Sequence, residues 1–402
     1  MSSADAIPFA MPDIGEDEID AVVSVLRSKW LTTGQRSREF EANFAEVVGA
    51  SHAIALNSCT AALHLSLEAL GVSQGDLVFM SPYTFAATAE VVRYLGAIPV
   101  FVDIDAATLN LDVVLLREAI ESRLDLSQGR PAAIMPVHMA GSPCEMDAVW
   151  DIAREHGLSV VEDAAHAFPA ARKGRVVGKV PADISGTACF SFYATKTITT
   201  GEGGMVTTEN EEVADRVRTM SLHGLSRQAW SRYSAGGSWK YDILAPGFKY
   251  NLSDIAAALG VVQLRRADEM AARRREIAET YTRAFSELSA LECPTVPEDA
   301  DSSWHLYVLR LHLEQIVVGR DEFIDKLAME GVGTSVHFIP LHLHSYYRDQ
   351  YGLKPADFPV ALREYERAMS LPIYSAMDDS DVERVVSTVR GLAAKHTDRG
   401  RH

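Results

Sequence analysis

Continuous apolar runs of strand length, separated by helix-length amphipathic stretches, fill much of the first 200 residues. The runs are HAIALN (52–57), LVFMS (77–81), IPVFVDI (98–104), AAIMPV (132–137), LSVVED (158–163) and ACFSF (188–192). Segments with helical spacing lie between most of them, such as TAALHLSLEAL (60–70) and AATAEVVRYLG (86–96). An unbroken rather than alternating apolar strand is one covered on both faces. Regular alternation with helices predicts a three-layer α/β domain built on a mostly parallel sheet. In such sheets ligand chemistry sits at the carboxyl ends of the strands.

From about residue 252 the pattern changes. Residues 253–288 read as one long helix, broken or continuous, with a basic stripe at Arg265, Arg266, Arg273, Arg274 and Arg275. A solvated helix face explains that stripe. A strand (305–311), a helix (321–331), a second strand (334–338) and helices near 360–370 and 379–394 follow, which suggests a smaller α+β domain. The expected division is residues 1–251 for an N-terminal segment and the large domain, and 252–402 for the connecting helix and the small one.

Composition narrows the function. With 402 residues, 47% hydrophobic and 23% charged, the chain is neither disordered nor collagen-like. A net charge of −17 repels phosphate backbones, so no nucleic-acid partner is expected. The four cysteines form no CxxC pair, which points to a reducing compartment rather than a disulfide framework. Residues 47–67 carry no Asp, Glu, Lys or Arg and are long enough to span a bilayer. They contain His52, Asn57, Ser58, Thr60 and His64, however, and divide into strand, turn and helix, so buried core is the better reading. No charged leader region precedes Arg27, the first Lys or Arg. Together these predict a cytoplasmic protein with no membrane partner.

Three polar clusters then need explaining. Asp163 closes the apolar strand at 158–163, and a carboxylate there needs a partner because an isolated buried charge is costly. It could equally cap a helix or join a structural ion pair. Lys196, one of only nine lysines, follows the run ACFSFYAT and precedes the glycine-rich TITTGEGG. Burial would lower its pKa and free the amine to attack a carbonyl, though a lysine in such a loop could instead bind an anion. NSCTAA (57–62) sits between a strand and a helix, where exposed N–H groups can seat a phosphate or be plainly capped by Ser58 or Thr60. No Walker A loop, GxGxxG fingerprint or GxSxG elbow is present, which disfavours nucleotide hydrolysis, a nicotinamide dehydrogenase and a serine hydrolase. HFIPLHLH (337–344) invites a metal reading through His337, His342 and His344, but Pro340 intervenes and no carboxylate is near, so no metal is expected.

A phosphate seat, an acid at a strand end and a lysine on a later strand suit pyridoxal 5'-phosphate (PLP). The lysine would bind the cofactor's aldehyde, and the acid would keep its pyridine nitrogen protonated. Phe85, after another strand, could stack on the ring or be a core aromatic.

The chain closely resembles the DegT/DnrJ/EryC1/StrS family of PLP-dependent nucleotide-sugar aminotransferases. The resemblance runs through PDIGEDEIDAVVSVLRSKWLTTG (12–34), NSCTAALHL (57–65), EDAAHA (162–167), SFYATKTITTGEGG (191–204), HGLSR (223–227) and SLPIY (370–374). It implies PLP fold type I architecture and a homodimer whose site is built from both subunits. It implies that Lys196 holds the cofactor and Asp163 faces the pyridine nitrogen. His166 and Phe85 would then flank the ring, and Thr60, Ala61 and Ser191 contact the phosphate. Asn251 or Lys249, in FKYNLSD (248–254), would reach in from the partner subunit. Cys59 stands where the family commonly has glycine. The YNLSD-like string is similar to that of enzymes aminating carbon 4 of a nucleotide-linked sugar, with L-glutamate as amino donor. A 3-keto sugar enzyme, a PLP-dependent sugar dehydratase and a non-catalytic regulatory paralogue are the alternatives. Lys196 argues against the dehydratase, where histidine replaces the lysine.

Overall fold

The computed structural model describes residues 6–124, 129–226 and 241–397. Helices α1 (Glu16–Ser28) and α2 (Gln35–Val48) precede the alternating region. That region runs β1 (His52–Leu56), α3 (Cys59–Ala69), β2 (Leu77–Met80), α4 (Ala86–Tyr94), β3 (Ile98–Phe101), α5 (Val113–Glu121), β4 (Pro131–Met135), α6 (Met146–His156) and β5 (Ser159–Asp163). A small hairpin of β6 (Ala171–Arg172) and β7 (Arg175–Val176) leads to β8 (Gly186–Ser191), β9 (Gly204–Thr208) and α7 (Glu211–Ser221). The seven-stranded sheet has the order β1-β9-β8-β5-β4-β2-β3. Pairing from β3 through β8 is parallel, and β9 runs antiparallel between β8 and β1. β1 therefore points the same way as β8, and the loops after β1, β2, β5 and β8 open on one edge.

The six strands expected before residue 200 are all present, with apolar side chains packed on both faces of the sheet. Phe40, Phe44, Phe168, Phe190 and Phe192 pack on one side, while Leu63, Leu65, Val91 and Val217 cover the other. No described helix is long and apolar enough to cross a membrane, and residues 47–67 divide among α2, β1 and α3. The strand β9 escaped the sequence reading because Gly203 and Gly204 open it and only Met205 and Val206 are strongly apolar.

The second half carries α8 (Asp254–Arg265) and α9 (Ala267–Phe285), so the long helical stretch is broken, at Arg266. Next come β10 (Leu291–Glu292), β11 (Ala300–Asp301), β12 (Tyr307–Leu311), α10 (Arg320–Met329), α11 (Ser345–Tyr351), α12 (Pro359–Arg367), β13 (Ala368–Leu371) and α13 (Asp379–His396). A three-stranded sheet, β10-β12-β13, packs with α9, α10 and α13 around Tyr281, Phe285, Phe323, Met369 and Val389. Two expectations need correction. Residues 334–338 form no strand: they make one bridge, from Ser335 to Ser370, on the edge of β13 away from β12. The basic stripe is only in part a solvated face: Arg265 and Arg275 are exposed, but Arg274 is buried and Arg266 is paired with Asp13 and Glu18.

The turn between α1 and α2 is fixed from a distance. Asp254, on the first turn of α8, accepts hydrogen bonds from the Gly34 amide (2.7 Å), the Ser37 amide (3.0 Å) and the Ser37 hydroxyl (2.8 Å). It thus supplies the capping carboxylate that α2 lacks locally.

Candidate active site

A cavity of about 460 Å³ opens at the carboxyl edge of the seven-stranded sheet. Each wall follows from the chain's path. Ser58 caps α3, its hydroxyl accepting from the Ala61 amide at 3.0 Å. That leaves the Cys59 and Thr60 backbone at the helix start beside the cavity, where N–H groups and the helix dipole favour an anion. Gly204, the first residue of β9, lies directly beneath: a Cβ there would stand 2.4 Å from the Ser58 carbonyl and 2.6 Å from the Cys59 nitrogen.

Asp163 ends β5 at the cavity floor. Its Oδ2 accepts from the Thr88 hydroxyl at 2.8 Å and its Oδ1 from the Ala165 amide at 3.2 Å. The preceding residue, Glu162, points to the other face of the sheet and meets His138 at 3.1 Å. Burial raises the Asp163 carboxyl above the usual range, while the Thr88 hydroxyl, the Ala165 amide and nearby Lys196 pull it back. A protonated nitrogen placed before it would restore its charge.

Lys196 follows β8 in a turn closed by its own amide donating to the Tyr193 carbonyl at 2.9 Å. It is half-buried, and loss of water brings its amine down to about 8 against the pull of Cys59 and Asp163. His305 Nε2 lies 3.3 Å from Lys196 Nζ. Burial and the lysine charge hold both His166 and His305 well below the ordinary imidazole value, so both rings are neutral. The two rings stand 4.5 Å apart, and Phe338 stacks on His166 at 5.8 Å.

Asp163, Lys196, His166, Thr60, Ser191 and Phe85 all line this one cavity. Phe85 is 61% exposed and begins α4, so it is not a core aromatic. Ala61 is buried outside the lining, its amide spent on Ser58. Asn251 is also outside it: bridged to Leu56, it donates to Thr33 at 2.6 Å and accepts from Lys249. Thr88, His305, Phe9 and Phe338 were not legible as site residues, and His337 entered only through the metal reading. Those histidines part company in the fold. His337 faces the cavity, where burial lowers it to about 4, whereas His342 is packed on Phe358.

The residues fit PLP. A helix start can receive the phosphate, a carboxyl raised by burial can meet the pyridine nitrogen, and an amine of lowered basicity can meet the aldehyde. The buried Nδ1 of His166 has no partner. A purely structural histidine seldom leaves one unsatisfied.

Comparison with known proteins agrees with this chemistry. Residues 12–390 match the DegT/DnrJ/EryC1/StrS aminotransferase family. The chain is 48% identical over 387 residues to the spore coat polysaccharide biosynthesis protein SpsC of Bacillus subtilis, covering 96% of this chain and 97% of that one. Among solved structures, a candidate sugar aminotransferase from Streptococcus pneumoniae in its PMP form superposes with a TM-score of 0.88 at 33% identity, covering 97% of this chain and 99% of that one. Its PLP form gives 0.87. PseC of Helicobacter pylori, an aminotransferase in pseudoaminic acid biosynthesis, gives 0.87 at 27% identity, covering 97% and 100%. With a family match across nearly its whole length and neighbours of PLP fold type I, the chain belongs to the DegT/DnrJ/EryC1/StrS family of PLP-dependent sugar aminotransferases.

Proposed function

We propose that this enzyme transfers the amino group of L-glutamate to carbon 4 of a nucleotide-linked 4-keto-6-deoxy hexose. The observation carrying this reading is Lys196, an amine of lowered basicity sharing one cavity with Asp163 and a helix start. Bound PLP supplies an electron sink that makes the donor's α-proton removable. Lys196 Nζ would take that proton and deliver it to the carbon that had borne the cofactor's aldehyde, on the other side of the amino nitrogen. Asp163 would hold a proton on the pyridine nitrogen, and His166 and Phe85, which line the same cavity, would confine the ring.

Phe9, Phe85 and Phe338 give the cavity an apolar wall that suits a deoxygenated sugar carbon. The names of SpsC and PseC, tied to a surface polysaccharide and to pseudoaminic acid, support an activated sugar as acceptor. Among the described residues lining the cavity, Lys196 is the only Lys or Arg. Two glutamate carboxylates and a phosphate need more cationic partners than that. A homodimer in which Asn251 or Lys249 enters the partner's cavity would meet the shortfall, and exposed Trp30 and Leu31, near Thr33 and Asn251, suit such an interface. The composition supports a cytoplasmic site of action.

The test is the absorbance of purified protein with and without L-glutamate, alongside Lys196→Ala. A near-visible band that glutamate abolishes in wild type, absent from the variant, is expected. A band indifferent to glutamate would overturn the donor, and turnover by Lys196→Ala would overturn the role of the lysine.

A further inference from the structure

His305 is buried and belongs to no motif of the chain's phosphate or pyridine contacts. It occupies the short segment between β11 and β12, and that segment is fastened on both sides. The Ser303 amide donates to the Gly141 carbonyl and the Leu306 amide to the Ala140 carbonyl, each at 3.2 Å. The Ser303 hydroxyl donates to the His166 carbonyl at 2.5 Å. From the side of α9, the Arg274 guanidinium donates to the carbonyls of Ile373 (2.7 Å), Trp304 (3.4 Å) and His305 (3.5 Å). A buried guanidinium partnered by backbone carbonyls through one nitrogen, with its Nε left without an acceptor, is a costly fastening. Here its one evident result is a fixed position for the residues on either side of the His305 peptide.

What that position delivers is the ring. Lys196 Nζ and His305 Nε2 stand 3.3 Å apart, and because an ammonium can only donate, the protonated lysine requires the imidazole proton on Nδ1, which is buried and without a partner. A histidine kept for packing would not place one nitrogen against a reactive amine and strand the other.

We propose that His305 is a positioning residue for Lys196: its neutral imidazole receives the amine at Nε2 and holds it beside Asp163 and His166 whenever the amine is free. This rests on the reading of Lys196 as the cofactor-binding, proton-carrying lysine, because such a residue is released in every turnover. A released four-carbon side chain would otherwise spread over many rotamers. The charged and titratable groups around Lys196 are Asp163 after β5, Cys59 at the start of α3, Arg274 on α9, and the neutral His166, His305 and His337. Of these, His305 is the one hydrogen-bonded to the amine.

The experiment reads the amine itself, in the full-length chain stripped of cofactor. Competitive acetylation with acetic anhydride across pH, quantified on the Lys196 peptide by mass spectrometry, gives its protonation midpoint. Wild type should titrate near 8. In His305→Leu the ammonium loses an acceptor without gaining water, so the midpoint should fall by about one unit, a tenfold change. In His305→Gln, a carbonyl oxygen near the place of Nε2 should restore the wild-type profile. Superimposable profiles for wild type and His305→Leu would overturn the proposal, as would equal displacement by Leu and Gln. Should the leucine variant not fold, nitrogen NMR of histidine-labelled wild type and Lys196→Met decides. One neutral, Nδ1-protonated ring should shift at Nε2 when the lysine is removed, and no such shift would overturn the proposal. Neither readout depends on catalysis, so both can succeed even if Lys196→Ala shows that another residue binds the cofactor.

Discussion

The Thr88 hydroxyl, on α4, donates to Oδ2 of Asp163, at the end of β5, across 75 residues of sequence and 2.8 Å of space. A second hydroxyl, Thr84, stands 2.8 Å behind it. The pair orients the carboxylate and favours its charged form against burial. Thr88→Val keeps the shape and removes the donor. A hydrogen bond to a charged group is worth about 1.5–3 kcal/mol, so the rate of the glutamate half-reaction should fall about 10- to 100-fold. Stopped-flow absorbance checks this, and Thr88→Ser should recover most of the rate. Asp163→Asn should cost about 3 kcal/mol, roughly two orders of magnitude.

Lys196 sets a pH dependence of stability. Its amine is near 8 in the folded chain and about 10.4 when unfolded. Between those values the unfolded chain holds the extra proton, so the cofactor-free protein gains stability as pH rises from about 8 to 10. Below pH 8 the lysine is protonated in both states, and enclosing it is a constant cost. Lys196→Met should therefore stabilise the cofactor-free protein at pH 7 by about 1–3 kcal/mol, allowing for cavity water, with the gain vanishing above pH 10.5. Urea denaturation at pH 7 and pH 10 compares the two proteins directly; a difference that grows with pH would contradict the sign.

These relationships also show what a sequence can and cannot carry. The strands, the helix start at Ser58 and the positions of Asp163 and Lys196 were legible because local patterns specify them: unbroken apolar runs, a cap and a strand end. Thr88 and His305 were not, since each matters only through a partner far along the chain. Nothing in AATAEVV or in SSWHLY distinguishes them from packing residues. Arg274 misled for a related reason. One arginine in a basic helix reads as solvated, and only the tertiary fold reveals three carbonyls converging on it. Asn251 and Lys249 lie outside the chain's own cavity, so nothing within one chain marks them as site residues.

Asp254 offers a test of stability remote from chemistry. Its carboxylate satisfies donors at the start of α2 that no nearby residue reaches. Asp254→Ala leaves the Gly34 and Ser37 amides without an acceptor in a buried setting. A loss of about 2–3 kcal/mol is expected in chemical denaturation. Asp254→Asn, keeping one carbonyl oxygen, should lose about half of that.

The phosphate seat can be probed from below, through Gly204. Its Cβ direction runs into the Ser58 carbonyl and the Cys59 nitrogen, which are backbone atoms and cannot rotate aside. Gly204→Ala must therefore displace either β9 or the start of α3. β9 is held by ladders on both sides, to β1 and β8, so the shift should fall on the 58–59 turn. Stability should drop by about 1–3 kcal/mol, as for other overpacked sites. Cofactor affinity should fall further, by tenfold or more, because helix-terminal N–H groups lose their aim at the phosphate. Equilibrium dialysis of PLP separates the two effects. Gly391→Ala, on α13 with nothing within 4 Å of the added methyl, is the control and should leave both quantities unchanged or slightly raise stability. Unaltered PLP binding in Gly204→Ala would mean that the phosphate does not rest on the start of α3.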